Sequence, residues 1–317
     1  MLLVITNSED VTADFLCGRF EDVRTPFLRI NSDEITKGAQ VEFRDFEPTL
    51  IFDGSRVSAS GISDVWLRRP KPLEPADEQL PPAERLHIQG EWSEAMEGFL
   101  AHIPFSKWIN HPTANVMASH KMEQLSRAKH HGLKVPETLV TQNPTLLEEF
   151  WAASGGQLIV KPLCSGYIER RVQEADSLIY TNALPSDLLD SPSIEKAPTL
   201  FQRRIDKVTD IRTTVIDTHV HAVSISALDS GVQRLDIRRN NMSDVAYSAA
   251  DVPKNIEDAL LKLIRSYGLR FAAVDFVVDR NGDWVFLEIN PNGQWAWLDL
   301  AGCTDIAASF VKACNHE

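Results

Sequence analysis

No apolar run in this sequence approaches the roughly 18 residues of a membrane-spanning helix. The opening MLLVITNSED holds a short apolar run with no basic segment before it, so it does not read as a secretory signal. Cysteine is scarce. Cys17, Cys164, Cys303 and Cys314 show no Cys-x-x-Cys spacing, and in a chain of 317 residues they read as reduced thiols. A cytoplasmic location is the expectation. Positive charge is also short: 32 Lys and Arg stand against 45 Asp and Glu, a formal net charge of −13. A non-specific nucleic-acid binder needs a broad cationic face, and this balance excludes one while leaving local basic pockets open. Internal repeats and low-complexity tracts are absent.

What is present is ordinary globular composition, 43% hydrophobic and 24% charged. At about 150 residues per domain the length suggests roughly two domains. Residues 1–111 read as an α/β domain. Strands are expected over Leu2–Thr6, Phe27–Asn31, Gln40–Phe46, Thr49–Phe52, Arg56–Ser58 and Asp64–Leu67, with a hairpin turn at Asp53-Gly54. Helices are expected over Thr12–Phe20 and, after the proline cluster Pro70 to Pro82, over about Ala83–Ala101. His111-Pro112 marks a domain boundary.

Beyond it the pattern predicts a helix over Asn115–His131 stopped by Gly132. Strands follow over Thr138–Thr141, Leu158–Lys161, Ser177–Asn182 and Thr199–Arg203, with a helix Pro144–Ala153 capped by Asn143. Asp210–Ile216 and His219–Leu228 read as a hairpin. Ile256, Leu260, Leu263, Ile264 and Tyr267 fall on one helical face between Pro253 and Gly268. Strands Phe271–Asp279 and Asp283–Ile289 and a helix over about Asp305–Cys314 close the chain.

The Phe271–Ile289 hairpin carries a candidate metal site. If Asn281-Gly282 is a two-residue turn, Arg280 pairs with Asp283 and facing positions keep a constant sum of 563. Asp275 then sits opposite Glu288, and Asn290 points to the same face as Glu288. Opposed Cβ atoms lie about 5 Å apart. Two carboxylates that close, among Val274, Phe276, Phe286 and Leu287, call for a cation, and oxygen donors suit Mg²⁺. The plain alternative is a solvated hairpin face.

The segment Val274 to Trp295, VDFVVDRNGDWVFLEINPNGQW, resembles the metal-binding end of the ATP-grasp fold. The form Glu288-Ile289-Asn290-Pro291-Asn292-Gly293-Gln294-Trp295 is similar to that of the microviridin-type, or graspetide, synthetases, which crosslink ribosomally made peptides. The opening LLVITNSEDVTADF and Val65–Lys71 (VWLRRPK) extend the resemblance over essentially the whole chain. The resemblance implies an α/β, pre-ATP-grasp-like domain over 1–111. A two-lobed α+β ATP-grasp unit would follow, with lobes over 112–200 and 201–317.

It also implies roles. Asp275, Glu288 and Asn290 match the ligands of Mg²⁺, two ions in the family, and ATP is the nucleotide. Lys121 resembles the first ATP-contacting lysine, and a solvated helix lysine is the alternative. Lys161, at a buried strand end before a small-residue loop with Ser165 and Gly166, suits phosphate contact. Phe201–Lys207 resembles the linker between the lobes, where adenine meets backbone. Arg203 stands where the family often has Glu, leaving Gln202, Arg203 and Ile205 as adenine-side candidates and Lys207 as a ribose-side one. Asp210-Ile211-Arg212 matches an Asp-x-Arg strand whose Arg212 faces phosphate or an acyl phosphate. Arg238 and Asn240, in Asp236–Asn240, would approach the γ-phosphate and the activated carboxylate.

The implied activity is an ATP-dependent carboxylate ligase. It would turn Asp or Glu side chains of a precursor peptide into acyl phosphates and join them to Thr or Ser hydroxyls (ester) or Lys amines (amide). A leader segment would dock near the Asp210–Leu228 hairpin. Cationic pairs Arg68-Arg69, Arg203-Arg204 and Arg238-Arg239 would hold an acidic core. A homodimer is compatible with this reading, and neither nucleic acid nor membrane is expected as a partner. Two other readings stay open: a glutamate ligase acting on a protein tail or small peptide, and an inactive nucleotide sensor. His219 and His221 read as core or edge histidines, Cys164 as a small packing residue, and Trp295 and Trp297 as packing or ligand-stacking rings.

Overall fold

A computed structural model describes residues 1–164, 166–168, 177–227, 236 and 245–315. Ser165, Arg238 and Asn240 lie outside the described residues.

The first sheet is parallel, in the order Phe27–Asn31, Leu2–Thr6, Asp64–Leu67, Trp108–Ile109. Leu2–Thr6 is buried along its whole length, as its unbroken apolar run requires of an inner parallel strand. The helix Val11–Asp22 follows it. Its N-cap Asp10 accepts the amides of Thr12 and Ala13, filling two of the donors a helix start leaves open. A second, antiparallel sheet joins Gln40–Arg44, Glu47–Phe52 and Ser55–Ser58. The turn at Asp53-Gly54 is as expected, with both residues at positive φ. The strand expected through Phe46 ends at Arg44, because Asp45 and Phe46 take positive φ and make the preceding turn.

The middle of the chain builds an antiparallel sheet in the order Asn182–Ala183, Leu158–Lys161, Thr199–Arg203, Thr138–Thr141. The strand expected over Ser177–Asn182 is two pieces in two sheets: Ser177–Leu178 pairs with Tyr167–Ile168, and Asn182–Ala183 joins the middle sheet. The helix Pro144–Ala153, capped by Asn143, packs Leu147 into its core. The single helix expected over Asn115–His131 is also two, Pro112–Met117 and Lys121–His130. Two local bonds and one extended residue explain the break. The Ser119 hydroxyl takes the Asn115 carbonyl, His120 is extended, and the Gln124 side chain takes the Ala118 carbonyl.

The last sheet is antiparallel, in the order Val245–Ala249, His219–Ala227, Lys207–Ile216, Phe271–Asp279, Trp284–Asn290. The helix Lys254–Ser266 covers one face with buried Leu260, Leu263 and Ile264, and Tyr267 follows at its end. The chain closes with Ala296–Leu300 and Ile306–Cys314, the latter capped by Asp305. Among the described residues no helix is long and apolar enough to cross a membrane.

The final hairpin corrects the turn expected at its tip. Asp279, not Arg280, faces Asp283: the Asp279 amide donates to the Asp283 carbonyl at 3.0 Å, and Gly282 sits at φ +85°. The loop is therefore Arg280-Asn281-Gly282, with glycine in the left-handed position. Val278↔Trp284 and Phe276↔Phe286 follow that register. A bulge then leaves Leu287 without an opposite number and restores Asp275↔Glu288. The carboxylate pair is the expected one because the turn and the bulge displace the register in opposite senses.

Candidate nucleotide and metal site

Three adjacent strands place Arg212, Asp275 and Glu288 in one row: Arg212 faces Asp275, and Asp275 faces Glu288. The Arg212 Nη1 lies 3.0 and 3.1 Å from the two oxygens of Asp275. Side-chain exposure is 32% for Asp275 and 36% for Glu288, so this is a half-buried pair rather than a solvated face. Asn290, two residues past Glu288, opposes Ala273 and is exposed.

A helix, the middle sheet and the last sheet bring lysines to the same place. Lys121 opens its helix, and its Nζ donates to the Pro162 carbonyl at 2.7 Å and stands 3.7 Å from Glu288 Oε2. Lys161 ends the Leu158–Lys161 strand. Burial pushes its ammonium below the ordinary lysine value; the fields of Glu288 and Asp236 oppose that shift, and Lys121 and Lys207 add to it. Lys207 clamps Asp210 with bonds of 2.6 and 2.7 Å. Burial raises the Asp210 carboxyl, with Lys207 pulling against it. Asp236 is buried and accepts the Thr181 amide at 3.1 Å. Lys121, Lys161, Lys207 and Arg212 thus meet Asp210, Asp236, Asp275 and Glu288.

Gly166 sits where a side chain has no room. A Cβ there would lie 2.5 Å from the Ile179 carbonyl oxygen, and that residue's amide donates to the Gly166 carbonyl. At the linker, Gln202 is buried and donates to Thr138 Oγ1 at 3.0 Å. Arg203 is exposed and pairs with Glu137 at 3.2 Å. Ile205 is half-buried. A cleft of about 450 Å³ lies beside this linker, lined by Arg203, Ile205, Glu137 and the hairpin tip.

Two expectations change. Arg68 is buried at 2% exposure, so Arg68-Arg69 is not a surface cationic pair, although Arg69 is exposed. Cys164 is exposed rather than packed. Of the two readings of Trp295 the packing one holds: it is fully buried against Phe310, with ring centres 5.5 Å apart. Trp297 meets Tyr247 edge-on. His221 bonds Ser309 at 2.8 Å, and His219 lies 3.3 Å from Lys312 Nζ.

Other side chains here carried no motif in the sequence. The buried Gln124 amide holds the outer edge of Ile289, accepting its N–H at 2.9 Å and donating to its carbonyl at 2.9 Å. Asn110 donates to the Phe271 and Pro291 carbonyls and accepts the amides of Arg270 and Phe271. Both are polar residues at buried positions, and only a contact map reveals what they hold.

The donor set fits Mg²⁺. Asp275 and Glu288 offer carboxylates and Asn290 an amide oxygen, the hard oxygen ligands that ion prefers. Among the described residues no three His, Cys, Asp or Glu side chains form a metal-binding group, so such a site rests on two carboxylates and the amide.

The chain has the fold of the ATP-grasp ligases, with mixed sheets and helices. Within that class the solved structures it resembles include a RiPP-associated ligase and a macrocyclase crystallised with a precursor peptide. A RiPP-associated ATP-grasp ligase from Chryseobacterium gregarium, in complex with ADP and a leader and core peptide, superposes with TM-score 0.86 at 26% identity, over 98% of this chain and 95% of that one. Macrocyclase MdnC from Microcystis aeruginosa, bound with precursor peptide MdnA, gives 0.82 at 23%, covering 99% of each chain. The ATP-grasp ligase PsnB, complexed with a minimal precursor, gives 0.77 at 21%, over 99% and 97%. No family model and no curated protein sequence matches the chain.

Proposed function

We propose that this protein is an ATP-dependent ligase that macrocyclises a ribosomally made precursor peptide. The observation that carries the reading is the Arg212–Asp275–Glu288 row with Lys121 and Lys161 beside it, on a fold shared with RiPP ligases. Residues 1–111 serve as a pre-ATP-grasp-like domain. ATP lies between the lobes over 112–200 and 201–317, and the enzyme works in the cytoplasm.

Asp275, Glu288 and Asn290 hold Mg²⁺, which when bound neutralises phosphate charge. Lys121 and Lys161 would take phosphate oxygens, joined by Ser165 and Gly166, which follow Lys161 in the sequence. Gln202, Arg203 and Ile205 border the adenine, and Lys207 the ribose. A substrate carboxylate attacks the γ-phosphorus, forming an acyl phosphate and releasing ADP. A hydroxyl or amine of the same peptide then attacks the acyl carbon and phosphate leaves, giving an ester or amide. Arg212, Arg238 and Asn240 stabilise the charge on the transferring group and the acyl phosphate. Phosphate is the leaving group, so no protein nucleophile is needed. The protein contributes position and countercharge.

Peptide-dependent ADP release tests this. Wild type should release ADP only with a precursor peptide carrying a leader and an Asp/Glu-containing core. Glu288→Gln should lose at least about 100-fold. Full-rate crosslinking by Glu288→Gln would end the assignment of that site.

A further inference from the structure

We propose that Arg68 is a positioning residue for the metal site, acting through the backbone of Asn292; this rests on the reading of Asp275, Glu288 and Asn290 as metal ligands. Arg68 follows the Asp64–Leu67 strand of the first sheet, remote in sequence from those ligands. Its side chain is buried, and its Nη1 donates to the Asn292 carbonyl. The Asn292 amide in turn donates to Asn290 Oδ1 at 3.2 Å, the oxygen assigned to the metal. A single residue, Asn292, thus links the two: its carbonyl accepts from Arg68 and its amide donates to the ligand side chain.

The surroundings show why this contact is more than packing. Burial pushes the Arg68 guanidinium down to about 10, with Asp10 opposing that shift. Asp10 stands 3.8 Å from Nε, beyond hydrogen-bond range, and its oxygens serve Thr6, Thr12 and Ala13. Nε and Nη2 find no hydrogen-bond partner among the described residues. A buried, half-satisfied charge is a poor device for stability. It is a good one for fixing a carbonyl, because a charge-assisted bond is short, directional and polarises the peptide it holds. Neutral amides complete the grip: Asn110 Nδ2 holds the Pro291 carbonyl at 3.1 Å, and Asn115 Nδ2 reaches Asn292 Oδ1 at 3.4 Å. Gly293 lies tight against Ala273 on the far side. The turn carrying Asn290 is therefore set from the first sheet, and partners of this kind typically change metal affinity about 10- to 100-fold when removed.

The test is Mn²⁺ titration followed by electron paramagnetic resonance, on full-length protein with ADP present, alongside the melting temperature without ligand. Arg68→Met keeps the volume and removes the charge. It should bind Mn²⁺ at least about 10-fold more weakly while melting within about 3 °C of wild type. Arg68→Lys, which retains one donor, should recover part of the affinity. Mn²⁺ binding within two-fold of wild type in Arg68→Met would overturn the proposal. So would affinity and melting temperature falling together and recovering together in Arg68→Lys, which marks a purely structural role. Should Arg68→Met not fold, Arg68→Lys decides: folded with weaker Mn²⁺ binding supports the proposal, and wild-type affinity overturns it. Wild-type protein that binds no Mn²⁺ with ADP would instead remove the metal-site reading itself.

Discussion

Replacing Gln124 with leucine removes one side chain and three hydrogen bonds. Gln124 is 1% exposed, and its amide holds the Ala118 carbonyl at 2.6 Å and both backbone groups of Ile289 at 2.9 Å. Ile289 lies on the edge strand of the last sheet, so its outward N–H and C=O have no strand neighbour to fall back on. At about 1 kcal/mol net per bond, the loss is roughly 3 kcal/mol. Unfolding entropy of about 2.1 cal/mol/K per residue over 317 residues is roughly 670 cal/mol/K, if the chain melts as one unit. The melting temperature should therefore fall by about 4 to 5 °C, read by calorimetry. Ile289 stands between Glu288 and Asn290, so Mg²⁺-dependent turnover should fall as well, and more than the lost stability alone explains. A Gln124→Leu protein with unchanged melting and unchanged turnover would refute the reasoning.

Two other substitutions probe the same region. In Gly293→Ala the new Cβ would clash with Ala273 Cβ, an overpacking worth about 1–3 kcal/mol; adding Ala273→Gly should restore part of the loss, and no rescue in thermal melts would contradict the contact. Lys161 has a lowered folded-state value, so the unfolded chain binds the proton more tightly, and stability gains from this group as pH rises from that value toward 10.5. Lys161→Met should remove that gain and raise ligand-free stability at neutral pH by about 1 kcal/mol, while abolishing the melting shift caused by ADP and Mg²⁺. Lower ligand-free stability with an intact ADP shift would contradict its placement.

Where the sequence was legible, periodicity carried it. The Lys254–Ser266 helix and the long strands of the last sheet stand out because each has one apolar face or a sustained apolar run. Legibility fails where side chains compete with backbone. Ser119 and Gln124 take carbonyls that would have continued one helix, and nothing in apolar spacing marks that. Short strands such as Trp108–Ile109 and Val245–Ala249 owe their existence to neighbours distant in the chain. The facing of Asp275 and Glu288 was reached through a turn that does not form, because the Leu287 bulge compensates for the longer loop. Arg68 was legible as a charge but not as a buried one, since its acceptor lies 224 residues away.

The central claim is peptide crosslinking, and intact-mass spectrometry of the product tests it most directly. A precursor peptide encoded beside this protein, incubated with it, ATP and Mg²⁺, should lose about 18 Da per bond formed, the water expelled in each condensation. Omitting ATP or Mg²⁺ should leave the mass unchanged. Mild alkali should restore the mass where the bonds are esters and leave it where they are amides. ATP hydrolysis with a peptide of unchanged mass, or a mass that rises by added residues, would contradict the account.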